Sequence, residues 1–219
     1  MPDLPFLDGS HVRGGELPVE ISMEPILEGA PFAYETVVCD NADGFFAVWA
    51  CDAGVYPRVK DRRGSFMYIL EGDATITDQD GTRHLLTADS VIVLPYGWVG
   101  QWDIRKTIRK VYLHSTPVPP FREGVQPSAF WAAGAEPAVV FDGPDGQCLV
   151  HDVAVGSYPI PADGRARFLF VISGAGSIGS RELAPGDVIA LPSGWSGAID
   201  VTAPMRRFDI RTTPSGENR

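Results

Sequence analysis

The side chains able to do chemistry in this sequence are mostly cations, and they come in groups. The stretch GVYPRVKDRRGSF (54–66) carries Arg58, Lys60, Arg62 and Arg63, and IRKVYL adds Lys110. In the second half RARFLF holds Arg167 and MRRFDIR holds Arg207. Around a pocket, guanidinium and ammonium groups bind small anions, carboxylates above all, through charge-assisted hydrogen bonds. Tyr56, Trp102 and Tyr158 would supply aromatic walls for such a pocket. The KDRR run also lies just before a turn, where Lys60, Arg62 and Arg63 read equally as solvated loop charges. Lys110 in a strand suits either a pocket or a guarded sheet edge.

Other chemistry is thinly represented. The chain has four histidines, His11, His84, His114 and His151, spread along its length. A site rebuilt from His114, His151 and a carboxylate would have to draw on both halves of the chain; ordinary, partly buried histidines are the alternative. There is no G-x-S-x-G, no P-loop and no paired catalytic carboxylates. A nucleophile needs a base within hydrogen-bond reach, and Ser65 has none adjacent in sequence. Cys39, Cys51 and Cys148 form no C-x-x-C and read as buried, reduced thiols.

Composition narrows the classes of function. The 219 residues carry a formal net charge of -10, which disfavours a phosphate backbone as partner, so no nucleic-acid binding is expected. No apolar run reaches the length of a membrane span, so no membrane partner is expected either. The first residues, MPDLPFLDGSHVRGG, show neither a basic n-region nor an apolar h-region, which predicts a cytoplasmic protein. With 24 glycines and 19 prolines, the chain is built for short strands and turns.

The elements that must position the cations repeat. DNADGFFAVWACDAGVYP (40–57) lies over DGPDGQCLVHDVAVGSYP (142–159), so that Asp43-Gly44 meets Asp145-Gly146 and Tyr56-Pro57 meets Tyr158-Pro159. The offset of 102 persists through Phe66/Phe168 to Gly72/Gly174, and becomes 97 from Leu86/Leu183 onward. DSVIVLPYGWVG then lies over GDVIALPSGWSG, and Arg109 over Arg206. A length change confined to one hairpin is what two copies of one fold should show. SFMYIL, ATIT, SVIVLP, RARFLFVIS, DVIALP and MRRFDIR read as strands, which predicts an all-β chain of two sandwiches or barrels. The expected organisation is an N-terminal arm packed over the first barrel (1–30), a first barrel (31–117), a linker with the lead-in strand of the second copy (118–138), a second barrel (139–214) and a tail (215–219). Trp98 and Trp195, each following P-x-G, read as corner packing.

VWACDAGVYP, SFMYILEGDATITDQDG and SVIVLPYGWVGQWDI resemble the cupin superfamily. More narrowly they resemble the small cupins that include ureidoglycine aminohydrolase-like and ethanolamine-utilisation proteins. The resemblance covers residues 40–116 well and 142–214 more weakly, and implies a bicupin of two tandem jelly-roll barrels. In metal-binding cupins three histidines and a glutamate bind a divalent ion in the barrel mouth. Here those positions fall on Lys60, Arg62, Ser65 and Gly100 in the first copy, and Ala162, Arg167 and Gly197 in the second. The family's penultimate-strand lysine is matched by Lys110, and Arg207 holds the corresponding place in the second copy. The resemblance therefore implies a degenerate site with no metal and no cofactor. It leaves Tyr56, Arg58, Lys60, Ser65, Trp102, Lys110, Tyr158, Arg167 and Arg207 as candidate ligand-binding residues.

Three readings of function stand side by side. The first is a metal-free bicupin that binds a small polar or anionic metabolite. The second is a small-cupin enzyme acting on a ureido- or amino-type compound. The third is a structural or interaction module, with a homodimer among the assemblies its sheet faces allow.

Overall fold

The structure, a computed structural model, describes residues 4–115 and 124–213. The domain boundaries expected at 117/118 and 214/215, and the tail 215–219, lie outside the described residues. The chain runs β1 (Phe6–Leu7), α1 (Gly9–Gly14), β2 (Val19–Ser22), β3 (Glu28–Gly29), β4 (Phe32–Asn41), β5 (Gly44–Cys51), β6 (Gly54–Val59), β7 (Ser65–Asp78), β8 (Arg83–Thr87), β9 (Val91–Leu94) and β10 (Val99–His114). It continues β11 (Ala129–Trp131), β12 (Ala138–Gly143), β13 (Gly146–Val153), β14 (Gly156–Ile160), β15 (Arg167–Ile178), β16 (Arg181–Leu183), β17 (Val188–Leu191) and β18 (Gly197–Arg211). The fold is all-β apart from a single short helix among the described residues.

The two sheets share one strand order. The first runs β9-β7-β10-β5-β4 and the second β17-β15-β18-β13-β12, all antiparallel. The long strands β7 and β15 bend at Gly72 and Gly174, both at positive φ (107° and 91°). A side chain at Gly72 would come within 2.6 Å of the backbone at Thr107 and Ile108, so only glycine lets β7 pass β10 at the bend.

Strand alternation divides the interior in three. Phe46, Phe66, Tyr68 and Val111 pack against Phe168, Phe170 and Phe208 in a seam between the barrels. The residues between them in sequence turn the other way: Ala47, Met67 and Ile69 into the first barrel, Leu169 and Val171 into the second.

The connections cross between barrels, which differs from the sequence expectation at two places. The N-terminal arm does not lie over the first barrel alone. Its β1 adds to β17 of the second barrel, with Phe6 opposite Ile189, before β2 and β3 pair with β4 and β6 of the first. The strand expected to lead into the second copy, β11, instead adds to β9 of the first barrel, with Phe130 opposite Ile92. Each barrel is thus extended by the strand that precedes the other in sequence. Edge strands with apolar residues need such a cover. Arg109 secures the arm: its guanidinium donates to the carbonyls of His11, Val12 and Gly15 at 3.0, 2.7 and 2.9 Å, capping the C-terminal end of α1.

The repeated Asp-Gly turns also cross the seam. Asp145 is 3% exposed and accepts from the backbone N–H of Gly64 (3.2 Å) and Tyr96 (2.9 Å) and from Ser115 Oγ (3.3 Å). Asp43 accepts from the backbone N–H of Ser193 (3.1 Å), the counterpart of Tyr96 in the repeat. Asp145→Ala leaves three donors unmade and should cost about 3 kcal/mol, against about 1 kcal/mol for Asp43→Ala. Urea unfolding of the two variants checks the ordering.

Candidate functional site

Alternation on β10 and β18 builds two cups. Val111 and Leu113 face the seam, so Lys110, Tyr112 and His114 face into the first barrel. Phe208 and Ile210 face the seam, so Arg207, Asp209 and Arg211 face into the second. Cavities of about 260 Å³ and about 320 Å³ open at these sites. They are small-molecule sites at or just under the usual lower bound for ligand pockets.

The first cup is aromatic and amine-lined. Lys110 Nζ lies 4.0 Å from the centroid of the Trp49 ring, 4.6 Å from Trp102 and 5.4 Å from Tyr112. Its hydrogen-bond partner is Met67 Sδ at 3.2 Å, a weak acceptor. Burial, then the neighbouring Lys60, hold the Lys110 ammonium well below its ordinary pKa, with Cys51 and Glu35 acting against them. Tyr56 stacks on Trp102, and Arg58 lies over the Tyr56 ring at 5.2 Å while donating to Met23 Sδ in the arm. Tyr112 donates its hydroxyl to Glu35, a buried carboxyl raised above its usual range by burial. His114 Nδ1 is 2.6 Å from Ser65 Oγ. Burial, then Lys60, Arg63 and Lys110, keep that imidazole neutral.

The second cup is built on guanidinium groups. Arg167, Arg207 and Arg211 line it around one buried carboxylate, Asp209. Asp209 accepts from His151 Nε2 at 2.8 Å and pairs with Arg207 at 3.1 Å. Burial works to raise its pKa, but Arg207, His151 and Arg211 outweigh that and hold it below the ordinary value. Arg167 donates to Asp163 at 2.7 Å on the rim. Among the described residues, the buried nitrogens Arg167 Nε, Arg207 Nη1 and Arg211 Nε have no hydrogen-bond partner, and neither does Asp209 Oδ1.

The structure places Tyr56, Arg58, Lys60, Trp102 and Lys110 in the wall of the first cavity, and Tyr158, Arg167 and Arg207 in that of the second. Ser65 is fully buried and meets the first cup only through His114. Tyr158 points its hydroxyl to the carbonyl of Ala154 at 2.9 Å. Arg62 and Arg63 are exposed. His114 and His151 lie in separate cups, so a site shared between them does not form. Sequence reasoning missed Trp49, Tyr112, Asp209 and Arg211 as cup residues. Stepping in twos from Lys110 and Arg207 along their strands would have found three of them.

The family's metal does not fit these cups. At Gly100, the place of the last histidine, an added Cβ would lie 2.3 Å from both the Trp98 ring and the Thr77 carbonyl oxygen. At Gly197 it would lie 2.5 Å from the Trp195 ring. Trp98 is fixed there by its indole N–H on Asp78 at 2.9 Å. The remaining positions hold cations or small groups, and no group of three or more His, Cys, Asp or Glu among the described residues is placed to hold a metal ion.

Residues 43–112 match the EutQ-like cupin domain family. YlbA of Escherichia coli is similar in structure, with a TM-score of 0.65 at 14% identity over 97% of this chain and 92% of that one. The bacterial pirin YhhW of E. coli, solved in complex with nickel(II), gives 0.59 at 11% identity over 90% and 99%. A cupin 2 conserved barrel protein of Leptotrichia buccalis gives 0.59 at 12% identity over 92% and 100%. These likenesses show the two-barrel cupin fold. No curated protein sequence matches the chain. Among the described residues no helix is long and apolar enough to cross a membrane.

Lys60 generates a pH prediction. Burial, then Arg58 and Arg63, push its ammonium from 10.5 down to about 7, against a smaller opposing effect of Asp61. The unfolded chain keeps that proton up to 10.5, so between about pH 7 and 10.5 it binds more protons than the folded one. Stability from Lys60 therefore rises with pH across that window, and below it the folded protein bears the full cost of the buried charge. Lys60→Met should exceed the wild type in stability at about pH 6, and the margin should shrink toward about pH 9. Urea unfolding at the two pH values measures it.

Proposed function

We propose that this bicupin, whose first barrel carries an EutQ-like cupin domain, binds a small anionic metabolite, a carboxylate or comparable oxoanion, in its second cup. The single observation that carries the reading is the imbalance there. Three guanidinium groups converge on a cavity of about 320 Å³ around one buried carboxylate, with Asp152 also in its wall and Asp163 on the rim. Among the described residues a buried N–H of each guanidinium is left without a partner, against one unpartnered carboxylate oxygen, Asp209 Oδ1. Buried, unpaired donors cost about 1–3 kcal/mol each, more when charged, and an oxoanion would satisfy several at once. Guanidinium presents its N–H groups in a planar fork that matches a carboxylate or phosphate in two-point contact. Nickel(II), present in the pirin structure, is not what these residues favour, since three guanidinium charges repel a cation. Against the chain's net charge of -10, the cationic cup is a local region that attracts anions.

Succinate, malonate and inorganic phosphate are the probes, read by thermal shift and calorimetry. A ligand at 100 times its Kd should add about 2.7 kcal/mol to the stability of the folded state. Arg211→Met is the informative variant, because no carboxylate among the described residues is ion-paired to Arg211. It should still fold, with at most a modest drop in melting temperature because Asp209 keeps Arg207 and His151, and lose at least about tenfold in affinity, the equivalent of one lost charge-assisted bond of about 1.4 kcal/mol. Binding of equal strength in wild type and Arg211→Met would overturn the reading.

A further inference from the structure

The chain has only three lysines, Lys60, Lys106 and Lys110, against 15 arginines. Two of the three line the first cup, and Lys106 is exposed at the bend of β10. At the position equivalent to Lys110 the second cup has Arg207, and the cations around it are all arginine. Arginine is this chain's usual cation, and the first cup departs from it. What an amine offers beyond a guanidinium is the ability to lose its proton and present a nucleophilic lone pair.

The surroundings of Lys110 suit that use. It is 7% exposed, packed among Trp49, Trp102 and Tyr112, and no ion pair to a carboxylate holds it among the described residues. Its one hydrogen-bond partner, Met67 Sδ, is too weak an acceptor to fix the charged form. A lysine desolvated in an apolar pocket beside another cationic group is how an amine is activated toward carbonyl carbon. Burial, Lys60 and Arg58 all press Lys110 toward the free amine.

We infer that Lys110 captures the carbonyl group of a small oxo acid in the first cup as an imine, with Arg58 and Lys60 holding the acid's carboxylate. The amine nitrogen bonds to the carbonyl carbon, and one N–H proton passes to the former carbonyl oxygen. That oxygen then leaves as water, taking the second N–H proton, and a C=N bond remains; nothing is oxidised or reduced. His114, a neutral imidazole bonded to Ser65, lines the same cup. The walls of Trp49 and Trp102 keep bulk water from the bond that forms. The inference concerns the first cup alone and does not require anion binding in the second.

Trapping tests it. The intact protein is incubated with pyruvate and sodium cyanoborohydride, which reduces an imine to a stable secondary amine, and the adducts are mapped by peptide mass spectrometry. Lys106 and the α-amine set the background rate. The expected result is one adduct per chain at Lys110, formed at least about tenfold faster than at Lys106, the factor that one unit of lowered amine pKa gives in free base. Lactate, which has the carboxylate without the carbonyl, should slow the labelling, and Lys110→Met and Lys110→Arg should abolish it. Labelling of Lys110 no faster than Lys106, or undiminished stoichiometry in either variant, would overturn the inference. If neither variant folds, the site ratio in the wild type decides alone. An anion that raises the melting temperature through Arg211 with no adduct at Lys110 would leave the second-cup reading intact and remove this one.

Discussion

The packing of Phe46, Phe66 and Tyr68 against Phe168, Phe170 and Phe208 fixes which way every neighbouring side chain points. The rings meet closely, Phe46 on Phe168 at 5.2 Å and Tyr68 on Phe170 at 4.7 Å between centroids. A slip of one residue in any of these strands would bring the aromatic residues into the cups and the cations into the seam. Burying Lys110 or Arg207 in an apolar contact between sheets is costly enough to exclude that register. The polar interior of each barrel is therefore a consequence of the apolar contact behind it.

Equivalent positions in the two barrels have diverged in chemistry while keeping that frame. Trp49 and His151 correspond, as do Lys110 and Arg207, Tyr112 and Asp209, His114 and Arg211, and Ser65 and Arg167. The first barrel uses the set to surround an amine with rings, the second to surround a carboxylate with guanidinium groups. In both, the indole after P-x-G closes the place where the family's last histidine would stand. One duplicated frame thus offers two sites of opposite character: a soft, weakly solvated cup that can host a neutral amine, and a hard one that stays charged at any ordinary pH.

Much of this was legible in the sequence because it follows from repetition. The two offsets define the barrels, and alternation along IRKVYLH and MRRFDIR is enough to put every second residue in a cup. What was hidden depended on long-range packing. The short strand Phe6–Leu7 has no period of its own, so nothing in it announces the second barrel as its partner. The repeated Asp43 and Asp145 could be seen as turns, but their work across the seam could not, because the N–H groups they hold belong to the other copy. Gly100 could be seen to lack a histidine, while the reason lies in a neighbouring indole.

The crossing of β1 and β11 makes the molecule an intramolecular counterpart of a domain-swapped pair. Two identical single-barrel chains trading their leading segments would build the same arrangement around a twofold axis. Here the covalent connection makes the trade permanent and independent of concentration. Neither half is self-sufficient as a consequence: cut apart, each would expose a bare sheet margin along β9 or β17.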